Sequence, residues 1–100
     1  MGEYKVQVNP LVQADAMELA EHLNRLPPDE AIKHIELIIN RLELLATTPQ
    51  HSSPVKDMQL RLRGYRTLKA GTYTVFLVIK GDTVSLRRIL FSRRQYDWLL

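Results

Sequence analysis

Seven of the nine basic side chains in residues 58–100 are arginines: Arg61, Arg63, Arg66, Arg87, Arg88, Arg93 and Arg94. A guanidinium is planar, permanently charged and forked, so it suits phosphate and carboxylate groups better than an ammonium does. If the segments bearing these arginines pair as antiparallel strands, positions distant in sequence converge on one face or rim of a sheet. Aromatic residues are interleaved with them: Tyr65, Tyr73, Phe76, Tyr96 and Trp98. Tyr73 and Phe76 fall in an apolar run and are expected in the core. Tyr96 lies beside Arg93 and Arg94 in a polar tail, where a phenol is free to act chemically. Trp98, Leu99 and Leu100 form an apolar ending, read as a clasp on the body that a peptide partner can also use.

Other chemistries find little support. His22, His34 and His51 are 12 and 17 residues apart, so no metal site is expected and they are read as surface residues. The sequence has no GxGxxG, Walker loop, GxSxG or HExxH motif, and no cofactor is expected. Asp82 and Asp97 stand alone in the second half, which argues against paired-carboxylate hydrolysis. With zero cysteines, disulfides and thiolate chemistry are excluded and a reducing compartment is expected. No apolar run approaches the roughly 18 residues of a membrane span. The opening MGEYKVQVNP lacks the apolar core of a signal peptide, so the chain is expected in the cytoplasm, with no membrane partner.

One hundred residues with 45% hydrophobic and 25% charged side chains fit a single domain over 1–100. The formal net charge of +3 conceals a division. Residues 1–57 hold nine acidic and five basic side chains, a balance of −4, whereas residues 58–100 hold nine basic and two acidic, a balance of +7. Such polarity points to an anionic partner.

The elements that must position these groups follow from periodicity. Tyr4, Val6 and Val8 alternate with Glu3, Lys5 and Gln7, predicting a short half-buried strand. Asn9 and Pro10 begin a helix, with Val12, Ala16, Leu19 and Leu23 on its apolar face and Asp15, Glu18, Glu21 and His22 mostly elsewhere. Pro27 and Pro28 end it. A second helix over 29–46 carries a wide stripe of Ala31, Ile32, Ile35, Ile38, Ile39, Leu42 and Leu45, and the short connection makes the pair an antiparallel hairpin. Thr47 to Asp57 reads as a polar loop. Three strands follow: 62–70, a central 72–80 buried on both faces, and 83–91 after a turn at Gly81 and Asp82. Alternation places Val84, Leu86, Arg88 and Leu90 on one face and Ser85, Arg87 and Ile89 on the other, so Arg87 and Arg88 part company and one is expected to pair with a carboxylate near the helices. Ser92 is read as the cap of a last helical turn. The predicted fold is α+β: an N-terminal strand, a helical hairpin and a three-stranded antiparallel meander in one sheet, with the helices on one face and the other face open to a partner.

The run from Arg63 to Leu100 resembles the C-terminal half of the RelE/ParE superfamily of bacterial toxins, also called plasmid-stabilisation proteins. The resemblance rests on Gly64, Tyr65 and Arg66 at the strand entry, on Tyr73, Val75 and Phe76, and on Arg88, Ile89 and Leu90 leading into Arg93 and Arg94. The preceding strand and hairpin follow the same order, so it spans essentially the whole chain. It implies a growth-inhibiting toxin neutralised by an acidic, partly disordered antitoxin, with Arg61, Arg63, Arg66, Arg93, Arg94, Tyr96 and Trp98 as candidates for antitoxin or target contact. A homodimer is compatible with it. RelE-like members cleave mRNA in the ribosomal A site without metal; ParE-like members act on DNA gyrase and have no recognised catalytic residues. In the nuclease branch Arg66, Arg93, Arg94 and Tyr96 would be the catalytic candidates. That branch commonly has an arginine where this chain has Tyr73, and the Tyr-x-Val-Phe strand with its Arg-Arg ending lies closer to ParE.

Overall fold

The computed structural model describes residues 4–91. In chain order they form β1 (Lys5–Val8), α1 (Pro10–Asn24), α2 (Pro28–Thr47), a 3-10 turn (Pro49–His51), β2 (Ser53–Pro54), α3 (Met58–Leu62), β3 (Tyr65–Ala70), β4 (Tyr73–Lys80) and β5 (Thr83–Phe91). The strands make one sheet in the order β1-β5-β4-β3-β2. β1 runs parallel to β5, and the other neighbours are antiparallel. The α+β architecture predicted from periodicity is therefore present, with one strand, β2, added at an edge.

Asn9 caps α1 as its position suggests, accepting a hydrogen bond from the Leu11 amide at 2.9 Å on Oδ1. Val12 and Leu23 are buried and Leu19 partly so. Ala16 is exposed, however, and Asp15 is only 6% exposed, because the face of α1 that meets β5 needs a carboxylate. Pro28 opens α2, with Asp29 and Glu30 in its first turn, where the positive helix end favours acidic groups. The expected wide stripe is narrower in fact: Ile38 and Leu45 are buried and Leu42 packs on the core, while Ile32, Ile35 and Ile39 are exposed. α2 touches the sheet along one line, which is less than its seven apolar positions span.

β4 is buried on both faces, as its apolar run requires. Tyr73, Val75 and Leu77 join Leu68, Ala70, Val84, Leu86 and Ile89 beneath α1 and α2. Phe76 and Val78 face the other way, into a smaller cluster with Val55, Leu60, Tyr65 and Leu90. The second face is thus not wholly open. The segment expected as a polar loop supplies β2, which pairs with β3, and the buried Val55. Likewise residues 58–62, partly expected as strand, form α3, capped by Asp57 Oδ1 accepting from the Leu60 amide at 3.0 Å. Gly64, at φ +87°, turns the chain from α3 into β3 through a conformation that side chains resist.

Two features of the sheet depart from simple alternation. β1 was expected to be half-buried, but all four of its residues are exposed because it forms an edge outside both clusters. In β5, Phe76 pairs with Arg88 while Leu77 pairs with Leu86, leaving Arg87 unmatched in a β-bulge. Beyond it the phase reverses. Ile89 joins the cluster under the helices and Leu90 the opposite one, the reverse of the predicted faces.

Candidate functional site

On the sheet face away from α1 and α2, a concavity of about 360 Å³ opens near the β4–β5 turn. Tyr65 and Val78 form its apolar part, Arg63, Lys80 and Arg87 its cations, and Gln7, Thr83 and Ser85 its polar remainder. Four elements build it. The bulge leaves Arg87 on this face, Gly64 lets Arg63 stand next to Tyr65, and parallel β1 brings Gln7 opposite Ser85. Tyr65 is 3% exposed. The Arg63 and Arg87 guanidinium carbons lie 5.3 and 5.8 Å from its ring centroid, within cation–π range. The ring thereby attracts two like charges to one side of the cleft. No acidic residue lines the cleft among the described residues. Its guanidiniums are groups that can hold phosphate or carboxylate.

The predicted arginine set does not converge as one cluster. Arg63 reaches the cleft. Arg61 lies on α3 and donates from Nε to the Val55 carbonyl at 2.8 Å, tying down the segment beneath it. Arg66 donates from Nε to Ser52 Oγ at 2.8 Å and from Nη2 to the Ser52 carbonyl, so it fastens β3 to the chain before β2. Arg93, Arg94, Tyr96 and Trp98, like Ser92, lie outside the described residues. Sequence reasoning passed over Lys80 and the polar rim; the shared phase of Ser85 and Arg87 in β5 was the available signal, but the contribution of Gln7 requires the parallel pairing of β1.

Arg88 fulfils the expectation that one of the paired arginines meets a helix carboxylate. Its Nε donates to Asp15 Oδ2 and its Nη2 to Oδ1, each at 2.8 Å. Oδ2 also accepts from the Ile89 amide at 3.0 Å. β1 ends at Val8, so beyond Leu86 the outer edge of β5 loses its strand neighbour, and Asp15 satisfies the amide that β1 cannot reach. Donating to Asp15 raises the Arg88 pKa further. Of the histidines expected at the surface, His22 is half-buried, its ring edge-on to Tyr73 and Phe91 at 6.1 and 5.4 Å, and His34 is half-buried too.

Five strands in this order with two helices packed on one face of the sheet make the RelE/ParE-like toxin fold. The family model described as ParE toxin of type II toxin-antitoxin system, parDE, matches residues 6–96, and the chain belongs to that family. Its similarity extends to a toxin named RelE3 from Methanocaldococcus jannaschii, 28% identical over 74 residues, covering 67% of this chain and 84% of that protein. In fold it is similar to a chain of the chromosomal ParDE toxin-antitoxin system of P. aeruginosa, with TM-score 0.67 and 18% identity over 88% of this chain and 95% of that one. A chain of the RelBE2 toxin-antitoxin complex from Mycobacterium tuberculosis gives TM-score 0.56 and 22% identity, over 89% and 98% respectively.

Proposed function

We propose that the protein arrests growth by binding and inhibiting DNA gyrase, breaking no covalent bond itself, and that a cognate acidic antitoxin neutralises it. The observation carrying this reading is the make-up of the cleft. Three cations, Arg63, Lys80 and Arg87, line it, and no carboxylate or imidazole stands among the described lining residues. Metal-free RNA cleavage requires a group to take the 2′ proton, cations for the phosphorane and a donor for the leaving oxygen. Cations are plentiful here, whereas Tyr65 is buried beneath two guanidiniums. Arg66, one of the nuclease candidates, is engaged with Ser52. Such a surface holds anions more readily than it moves protons.

The test is a gyrase supercoiling assay with purified protein. Supercoiling should fall as toxin is added and recover when antitoxin is supplied. Charge reversal at Arg63 and Arg87 together should weaken inhibition by at least about tenfold, since each charge-assisted hydrogen bond is worth about 1.5–3 kcal/mol. Full supercoiling at excess toxin refutes the reading. The similarity to RelE3 favours a second one, a ribosome-dependent mRNA interferase. On that reading Tyr96→Phe, which keeps the ring and removes the hydroxyl, abolishes translation-dependent cleavage; unchanged cleavage excludes a role for Tyr96.

A further inference from the structure

β1 is the outermost strand of the sheet on the side away from β2. Its odd positions meet β5 through the backbone: the Lys5 and Asn9 amides donate to the Asp82 and Leu86 carbonyls at 2.8 and 3.0 Å. Alternation turns the amides and carbonyls of Val6 and Val8 outward, and no strand lies beyond them among the described residues. The side chains divide as well. Val6 and Val8 are in register with Val84 and Leu86 of the cluster under the helices, yet they are 40% and 53% exposed. Leu11, 52% exposed, stands one helical turn before Asp15, which reaches over the outer edge of β5 to the Ile89 amide, so it shares that flank of α1. Gln7 points the other way and lines the cationic cleft. An edge of this kind is a template for pairing: β1 carries no proline, no bulge and a single charge, Lys5.

We propose that the outer edge of β1 binds a second copy of this chain, antiparallel and about a two-fold axis at Gln7, so that the two sheets become continuous. The edge is complementary to itself. With the axis at Gln7, Val6 meets Val8 of the partner subunit, the outward amide and carbonyl of each face those of the other, and both such pairs exchange their two hydrogen bonds. Val6, Val8 and Leu11 then join their counterparts in one apolar strip on the helix side. On the other side Gln7 lies opposite Gln7 of the partner subunit as a close, non-hydrogen-bonded pair with Cα atoms about 4.5 Å apart, which sets the two cationic clefts side by side. Charge favours this occupant over an acidic antitoxin. Lys5 stands opposite Asn9 of the partner subunit, and the two copies of Lys5 are about 14 Å apart along the strands, beyond the Debye length of about 8 Å. β1 therefore does not repel its own copy, and it has no cationic cluster to draw an acidic chain, for which Arg63, Lys80 and Arg87 are the better match. The strip is small. A four-residue strand and Leu11 fall short of the roughly 20–30 residues a side in a standard interface, so the dimer is weak and forms reversibly in roughly the 10–100 μM range. It forms whichever target the cleft serves.

The chain has no cysteine, so a Gln7→Cys variant reports the axis directly. Mild oxidation should link it into dimers, because the paired Cα atoms lie within the span of about 4.4–6.8 Å that a disulfide bridges. Lys5→Cys, whose copies are held apart, should cross-link at least about tenfold more slowly. Sedimentation velocity of the unaltered toxin should show monomer giving way to dimer as concentration rises. Val6→Pro deletes an outward amide and leaves the bonds to β5 in place, while Val8→Lys sets a charge in the apolar strip. Each should weaken dimerisation at least about tenfold, the proline through two intermolecular hydrogen bonds lost per dimer. Monomer at every concentration up to about 1 mM overturns the proposal. Equal cross-linking of the two cysteine variants, or dimers indifferent to Val6→Pro and Val8→Lys, overturns its assignment to this edge. Slow amide exchange at Val6 and Val8 in dilute, monomeric toxin does so too, since the chain itself would then cover the edge. Dimers that form only when antitoxin is added overturn it in favour of an antitoxin bridge. None of these outcomes depends on a supercoiling assay, so failure here and failure of the gyrase reading are separately visible.

Discussion

Replacing Asp15 with alanine takes the paired carboxylate from the Arg88 guanidinium and the acceptor from the Ile89 amide in the wall between α1 and β5. The Arg88 and Asp15 side chains are 14% and 5% exposed, so water can replace the lost acceptor only in part. Breaking a buried pair from one side costs about 3–5 kcal/mol. The nearby charge of Glu18, which also favours charged Arg88, places this case near the lower end, at about 3 kcal/mol by the same measure. The orphaned Ile89 amide adds about 1 kcal/mol. A total of about 4 kcal/mol is a large part of the roughly 5–15 kcal/mol that holds a domain of this size, and it corresponds to a fall in Tm of roughly 15–30 °C. Asp15→Asn keeps one oxygen and should lose about half as much. Urea unfolding with an unchanged slope measures both. The double variant Asp15→Leu, Arg88→Met removes the pair together, and it should be more stable than the sum of the single losses by at least about 1 kcal/mol. A loss below about 1 kcal/mol for Asp15→Ala, or strict additivity in the double variant, would refute the view that this ion pair seals the sheet edge.

Tyr73→Phe should leave stability unchanged or raise it by about 1 kcal/mol at neutral pH, because the hydroxyl it removes has no partner among the described residues. Burial also pushes the Tyr73 pKa above its ordinary 10.0. The unfolded chain therefore loses this proton first, stability falls as pH rises past 10.0 toward the folded-state value, and the phenylalanine variant should show a shallower alkaline decline in denaturant titrations. Gly64→Ala should lose about 1–2 kcal/mol in thermal melts, since an added Cβ would meet Val78 Cγ1 at an ordinary 3.5 Å and the strain lies in φ +87°. Arg63→Glu should slow antitoxin association and flatten its salt dependence, measured by stopped-flow at several ionic strengths, whereas Arg66→Ala should chiefly loosen β2, seen as faster amide exchange at Thr67.

Much of the fold was legible because local chemistry and tertiary need agree in it. Asn9-Pro10 can begin a helix wherever it packs, and an apolar run such as β4 has to be covered on both sides. The errors fall where one element answers a need set by another. Asp15 belongs to a charged row by helical spacing, and only the ending of β1 beside β5 gives it an amide to satisfy. Val55 occurs in a segment rich in polar residues and proline, and its burial follows from the second face of β4, which the two long helices cannot reach. For the candidate site, arginine content pointed to a cationic cleft but not to its membership. Arg61, Arg63 and Arg66 are neighbours in sequence, yet α3, Gly64 and β3 send them to a carbonyl, to the cleft and to Ser52.

The bulge at Arg87 makes β5 a strand with two reading frames. Up to Arg87 the odd-numbered positions look away from the long helices; past it they look toward them. Deletion of Arg87 would close the bulge and leave Ile89, Leu90 and Phe91 opposite Val75, Thr74 and Tyr73, their faces unchanged, while the cleft would lose one of its guanidiniums. Comparison of this chain with its relatives is therefore most sensitive at this point: a gap placed one residue too early or too late would equate Arg87, which lines the cleft, with Arg88, which pairs with Asp15 of α1.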